Sequence, residues 1–268
     1  MIDLLKDIPP EKALAHYTTM PTALEGILRT HSIRFRPITA ANDPRESRRR
    51  WSGISWEGAN SKFESTVLSE FERAQTEYVK MFCFSKSDPN IHPLFTQAGL
   101  CYALPNMWAH YGDRHKGVCL LFDESKIVEM IPPGKLMAAE SISYDDFFLE
   151  NQSIGSFGNF DQIDAEFGGN VSEFVKAHIQ KEFQPDLLKK DNGWRGEQEF
   201  RALIYDRDPD TREHLDLGYG ESLVGIVLGI DFSEVYIPLI KEYTSSQVRL
   251  WRLAWSESDG TYKTKIIT

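Results

Sequence analysis

The chain has little sulfur, no long apolar run and no surplus of positive charge. Its three cysteines, Cys83, Cys101 and Cys119, form no C-x-x-C pair. That excludes a disulfide framework and a cysteine-rich zinc site, and each thiol is read as a small core residue. No apolar stretch approaches the roughly 20 residues that span a bilayer. Met1–Asp7 lacks the basic flank and apolar core of a secretory signal, so a soluble, cytoplasmic protein without membrane contact is expected. Lys and Arg number 30 against 40 Asp and Glu, a formal charge of −10, which disfavours generic coating of DNA or RNA. The dense basic run of Arg45, Arg48, Arg49 and Arg50 is read as a solvated helix face. There is no phosphate loop of the G-x-x-x-x-G-K type and no G-x-G-x-x-G; ATP hydrolysis on such a loop and hydride transfer in a Rossmann unit are disfavoured. His92, His110 and His115 form no H-E-x-x-H pattern, and no metal is expected.

What is present supports a packed core: hydrophobic residues make up 41% of the chain and aromatic residues 12% of it. With 268 residues, no internal repeat and no clear linker, one α+β domain over 1–268 fits best. Strands are predicted at Ala13–Thr18, Ser32–Pro37, Lys80–Ser85, Gly117–Phe122, Lys135–Tyr144, Leu223–Gly229 and Val248–Ala254. Helices are predicted after Thr19 or Thr22, with Leu24, Ile27 and Leu28 at helical spacing, and from about Lys62 to Val79, Pro105 to Gly112, Val171 to Phe183 and Pro238 to Ser245. Asn42-Asp43-Pro44-Arg45-Glu46 is a turn-rich loop able to bind a ligand. Residues 151–170, with Gly155, Gly158, Gly168 and Gly169, read as a mobile loop or insert.

The densest chemistry lies at Glu197-Gln198-Glu199-Phe200-Arg201, leading into Ala202-Leu203-Ile204. If this is a strand, alternation places Glu197, Glu199 and Arg201 on one face, with Phe200, Ala202 and Ile204 towards the core. The carboxylates repel one another while the guanidinium favours their ionised forms. Such a face can hold a sugar hydroxyl or steady a developing cation, or it can be a salt-bridged strand and nothing more. His16 ends the first strand with Thr18 on the same face, a place where a histidine is more often structural. Trp108, His110 and Tyr111 gather aromatic and polar groups on one short segment, able to stack on a base or simply to pack.

In order along the chain, His16-Tyr17-Thr18, Leu24 to Leu28, Asn42-Asp43-Pro44-Arg45-Glu46, Cys83-Phe84-Ser85, Met107-Trp108-Ala109-His110-Tyr111, Gly117 to Phe122 and Glu197 to Leu203 resemble the motifs of a bacterial domain-of-unknown-function family. The resemblance covers about residues 13–230, leaving a C-terminal extension over 231–268, read as strand-helix-strand. That family is in turn distantly similar to the ADP-ribosyltransferase superfamily. The resemblance implies a split-sheet core of mixed and antiparallel strands with flanking helices, and NAD as the substrate. By it, His16 would hydrogen-bond the ribose of NAD, with Tyr17 or Thr18 seating the nicotinamide end. Glu199, or failing it Glu197, would hold the nicotinamide-ribose hydroxyl and stabilise an oxocarbenium-like transition state. Trp108 or Tyr111 would stack on the nicotinamide and Arg34 or Arg36 would reach the pyrophosphate. Asn42, Asp43, His110 and Arg201 complete the expected binding set.

Three functions follow as expectations. The first is an NAD-dependent ADP-ribosyltransferase or NAD glycohydrolase, fitting a toxin or anti-phage effector, with a protein, a nucleic acid or water as acceptor. Such a role leaves room for a neutralising or regulatory partner protein. The second is a catalytically silent nucleotide- or ligand-binding module. The third is a hydrolase or nuclease using His110 with Glu197 and Glu199.

Overall fold

A computed structural model describes residues 10–47, 61–88, 100–146, 166–258 and 260–267. The positions Arg48, Arg49, Arg50 and His92, and residues 151–165 of the glycine-bearing stretch, lie outside the described residues. The architecture is mixed α+β. Its twelve described strands are β1 (Ala13–Thr18), β2 (Ser32–Pro37), β3 (Val79–Lys86), β4 (Val118–Asp123), β5 (Leu136–Ser141), β6 (Ser143–Asp145), β7 (Lys189–Asp191), β8 (Glu199–Tyr205), β9 (Leu215–Gly218), β10 (Leu223–Leu228), β11 (Arg249–Ser256) and β12 (Thr261–Ile266).

Ten of these strands join in one large sheet that is made of two halves. One half runs β12-β11-β10-β4-β1, the other β9-β2-β3-β8-β5. All neighbours in it are antiparallel except β10 and β11. The halves meet where β1 pairs with β3, through Leu14↔Lys86 and Ala15↔Ser85. Further along the same strand, β3 pairs instead with β2, at Arg36↔Met81 and Pro37↔Lys80. Between those two pairings β1 and β2 diverge, and a seam opens beside Phe82, Cys83 and Phe84.

Side-chain alternation then sorts the core. Leu14, Phe82, Phe84, Leu120, Phe122, Phe200, Ala202, Ile204, Ile226 and Leu228 pack together on one face. The helical segments Thr22–Leu28 and Ile237–Tyr243 cover part of it, through Leu24, Ile27 and Ile240. The opposite face carries two separate clusters. Ala15, Tyr17, Cys119, Leu121, Val227 and Trp251 form one, with Trp108 above them. Val79, Leu203 and Tyr205 form the other, under the helices Ser61–Arg73 and Val171–His178. The polar side chains of Glu199 and Arg201 lie on this same face, between the two apolar clusters.

Most predicted elements are present, and the differences have local causes. Both Thr22–Leu28 and the ends of the helices near 74–78 and 179–183 take wider π-helical turns. The 41–46 loop contains a short helix, Pro44–Ser47, capped by Asp43, whose Oδ1 accepts from the Arg45 N–H at 2.9 Å. The strand predicted at Lys135–Tyr144 breaks after Ser141, because Ile142 donates its N–H to the Glu199 carbonyl and the chain turns to pair β6 with β7. The C-terminal extension is not strand-helix-strand: its described residues hold the helix Ile237–Tyr243 followed by β11 and β12, which pair with each other.

A tight connection fixes Tyr111 relative to the sheet. After the helix Pro105–His110, three successive residues take left-handed backbone: Asp113 (φ 47°), Arg114 (φ 52°) and His115 (φ 68°). The His115 carbonyl accepts from Asp231, and Gly229 donates to the Gly117 carbonyl. A Cβ on Gly229 would lie 2.0 Å from the His115 carbonyl oxygen, which is backbone and cannot swing away. Gly229→Ala is therefore expected to lower the unfolding free energy by about 1–3 kcal/mol through overpacking, read by urea denaturation; a loss under about 0.5 kcal/mol would contradict this account of the turn.

Candidate functional site

The seam between the two sheet halves is a cavity of about 180 Å³. His16, Asn42, Glu46, Tyr111, Lys190, Glu197, Glu199 and Arg201 supply its polar lining, and Ala15, Tyr17, Met81, Phe84 and Met107 its apolar walls. His16 and Glu199, from the first strand and a late one, thus reach one site.

His16 occupies the point where β1 leaves β3. Its ring packs 4.4 Å from that of Phe82, and its Nδ1–H donates to the Cys83 carbonyl at 3.0 Å. A carbonyl can only accept, so the tautomer is set and Nε2 keeps the lone pair. Burial lowers the imidazole pKa to about 4, outweighing the opposite pull of the Cys83 carbonyl. His16 is therefore a neutral hydrogen-bond acceptor at neutral pH.

Glu197 and Glu199 arrive by different routes. Glu199 begins β8, but Glu197 ends the preceding 3-10 turn Asn192–Glu197. Gln198 between them is left-handed (φ 47°, ψ 47°). Strand alternation thus does not extend to Glu197, contrary to the reading of the sequence. The left-handed residue reverses the chain locally and brings both carboxylates to the cavity. A non-glycine residue in this conformation carries strain of order 1–3 kcal/mol, and the ion contacts on either side hold it there.

Those contacts form one buried network. Lys190 donates to Glu197 Oε2 at 2.7 Å and to Glu199 Oε2 at 3.0 Å, with Glu46 Oε2 at 3.8 Å. Arg201 donates from Nε to Glu199 Oε1 at 2.8 Å, from Nη2 to Glu46 Oε1 at 2.9 Å and from Nη1 to the Leu187 carbonyl at 2.7 Å. Tyr111 donates its hydroxyl to Glu197 Oε1 at 2.7 Å. The Glu199 N–H donates to Tyr144 Oη at 2.8 Å. Burial pushes the Glu199 carboxyl up, but Arg201 and Lys190 outweigh it and hold the group below the usual carboxylate range. Burial likewise opposes the charge on Lys190, and Glu199, Glu46 and Glu197 reverse it, raising the ammonium well above its ordinary value. Burial, then the bond to Glu197, pushes Tyr111 up to about 12. Cys83 lines the cavity as a thiol raised by burial first and by Glu199 beside it, so it is no activated nucleophile.

The loop 42–46 closes one side. Asp43 accepts from Trp194 Nε1 at 2.9 Å, Arg45 donates to Asp191 at 2.5 Å, and Glu46 enters the network. Lys190 also sits 5.0 Å from the Trp194 ring centre. Each polar contact ties this loop to the segment that carries Lys190 and Glu197.

Several expected site residues lie elsewhere. Trp108 is fully buried, donates Nε1–H to the Tyr102 carbonyl and meets Tyr17 edge-on, so no nicotinamide can stack on it. His110 is exposed at the end of its short helix and does not line the cavity that Glu197 and Glu199 line. Arg34 and Arg36 are exposed on β2; Arg34 is spent on a two-point pair with Asp216 at 2.8 Å. Thr18 is buried away from the cavity, and Asp43 supports the loop rather than lining the pocket. Tyr17 is a wall, its hydroxyl already donating to the Cys101 carbonyl at 2.6 Å. Sequence reasoning missed Lys190 altogether and left Glu46 out of the expected set. Among the described residues, no group of three or more His, Cys, Asp or Glu is placed to hold a metal ion, and no helix is long and apolar enough to cross a membrane.

Fold and site together define an α+β protein with an acidic, ion-lined cavity at the seam of a divided sheet. Residues 107–202 match the family model described as Protein of unknown function (DUF2971), so the likeness to a domain-of-unknown-function family is met over that stretch. It contains Tyr111, Lys190, Glu197, Glu199 and Arg201, while His16 and Glu46 come from outside it. No curated protein and no solved structure gives a significant match.

His16 also yields a stability prediction. The unfolded imidazole binds a proton below about pH 6.5, whereas the folded one resists until about 4. The unfolded state then holds more protons in that window, and stability is lost as pH falls through it. In His16→Asn the unfolding free energy is expected to fall less between about pH 6.5 and 4 than in wild type; parallel pH dependences would contradict the buried, neutral imidazole.

Proposed function

We propose that the protein cleaves an N-glycosidic bond of NAD, as an NAD glycohydrolase or as an ADP-ribosyltransferase, and that its divided sheet is an ADP-ribosyltransferase-like core. The single observation that carries the reading is the meeting of His16, a neutral acceptor, with the ionised Glu199 across one cavity at the sheet seam.

In the proposed reaction the bond between ribose C1′ and the nicotinamide nitrogen breaks. Its electron pair returns to the pyridinium ring, which leaves as neutral nicotinamide. Positive charge develops on the ribose, and a carboxylate fixed close to it in a partly dry site lowers the barrier electrostatically. Glu199 fills this role, with Glu197 beside it. The Nε2 lone pair of His16 accepts from a ribose hydroxyl and orients the sugar. Water or an acceptor group then adds to C1′ and loses one proton. Tyr111 and Lys190 keep Glu197 in place, while Lys190 and Arg201 keep Glu199 ionised. A protein or nucleic acid acceptor, and a place among toxins or anti-phage effectors, belong to the same proposal.

A second reading has its own support. Glu199 is held by two cations at 3.0 Å or less, an arrangement that also suits a ligand-binding module without catalysis. Release of nicotinamide separates the two. Wild type is expected to release nicotinamide from NAD, and Glu199→Gln, which keeps the shape and removes the charge, to slow that release by about 10²–10³-fold. Equal rates for both proteins would remove the enzymatic reading and leave the binding module.

A further inference from the structure

The cavity's size and its unspent hydrogen-bonding groups restrict the ligand more closely than the fold does. On the reading of the site as an N-glycosidic one, we infer that it recognises the cationic riboside end of its ligand, a pyridinium N-riboside, and does not read phosphate.

Volume is the first argument. At about 180 Å³ the cavity falls below the roughly 300–1,000 Å³ of sites that enclose a drug-sized ligand. It accommodates a sugar and part of a flat ring; a dinucleotide would extend outside. Charge is the second. Within the network Glu46, Glu197 and Glu199 face only Lys190 and Arg201, three carboxylates against two cations, an excess of one negative charge. His16 adds none. In a buried, low-dielectric setting that excess attracts a fixed cation and repels an anion.

Donor inventory is the third argument. Phosphate is bound by N–H donors, and the two cations here direct most of theirs at protein acceptors. Lys190 donates to Glu197 and Glu199, with Glu46 an ion-pair partner at 3.8 Å, and Arg201 serves Glu199, Glu46 and the Leu187 carbonyl. Arg45 is held by Asp191 and Arg34 by Asp216. Among the described lining residues, the Asn42 amide is an uncharged donor, and the rest of what faces a ligand is acceptors: His16 Nε2 and the carboxylate oxygens. Acceptors suit the hydroxyls of a ribose, and the apolar walls, Met81, Phe84 and Met107 among them, suit the ring. A free riboside would then be a complete substrate. Water adds to C1′, the C1′–N bond breaks with its electron pair going to the ring nitrogen, and ribose, nicotinamide and one proton result.

The test titrates three probes into the full chain by calorimetry: nicotinamide riboside, its reduced and uncharged dihydro form, and ADP-ribose. Nicotinamide release from the riboside and from NAD is followed in parallel by chromatography. Nicotinamide riboside is expected to bind at least about tenfold more tightly than either of the others, an effect of the size that one unscreened charge contact produces. ADP-ribose or the dihydro form binding as tightly as the riboside would overturn the inference, as would no binding of the riboside. Riboside bound without release of nicotinamide, with NAD also uncleaved, would remove the proposed reaction and leave this recognition standing. NAD cleaved while the riboside neither binds nor reacts would remove the recognition and leave the reaction.

Discussion

One ammonium group organises the centre of this molecule. Lys190 stands between Glu46, Glu197 and Glu199, and those carboxylates come from two stretches of chain far apart in sequence, the 42–46 loop and the 197–199 segment. Without a cation among them, carboxylates this close together would repel one another in a setting that screens charge poorly. Lys190 and Arg201 hold the Glu199 carboxyl below the usual carboxylate range, and the loop 42–46, the turn before β8 and β8 itself are drawn to one point. The desolvation cost of such a cluster is large, and its attraction repays that cost only where the remaining donors and acceptors are met. Here the Leu187 carbonyl accepts from Arg201 and the Tyr111 hydroxyl donates to Glu197, which adds to the ion pairs.

The sheet provides the space for this cluster. If β1 paired with β3 along its whole length, ladder hydrogen bonds would fill the seam and no cavity would exist. Because pairing stops after Ala15 and Ser85, the Cys83 carbonyl is left for a side chain, and His16 takes it. A single displaced ladder bond thus sets the imidazole's tautomer and aims it at the seam. The two apolar clusters on either side close the flanks, so the polar groups meet in a partly dry place where charge matters most.

Much of this was legible in the sequence, and the limits are instructive. Strands with alternating or continuous apolar character were plain: Ser32–Pro37 is present with the predicted ends, and β4 differs from Gly117–Phe122 by one residue at each end. The acidic strand and the first-strand histidine stood out by chemistry alone. Lys190 did not, because Lys189-Lys190-Asp191 is a three-residue strand without periodicity, made a strand only by pairing with Ser143–Asp145 far along the chain. The short edge strands β9 and β12 were missed for a related reason, being defined by their partners. Trp108 and His110 misled in opposite ways. Aromatic clustering reads alike whether a ring is buried in the core, as Trp108 is, or left in solvent, as His110 is. The position of Glu197 was misjudged because alternation assumes an unbroken strand, and the left-handed Gln198 breaks it.

The most direct measurement on this account is a double-mutant cycle between Lys190 and Glu199, using Lys190→Met, Glu199→Gln and the pair, read by denaturant unfolding. If the ammonium is what holds the cluster together, the two substitutions are strongly non-additive, with a coupling energy of about 1.5–3 kcal/mol. A coupling under about 0.5 kcal/mol, with each single variant folded and its cost simply summing, would mean that the network does not depend on this contact, and the account of the site built on it would fail.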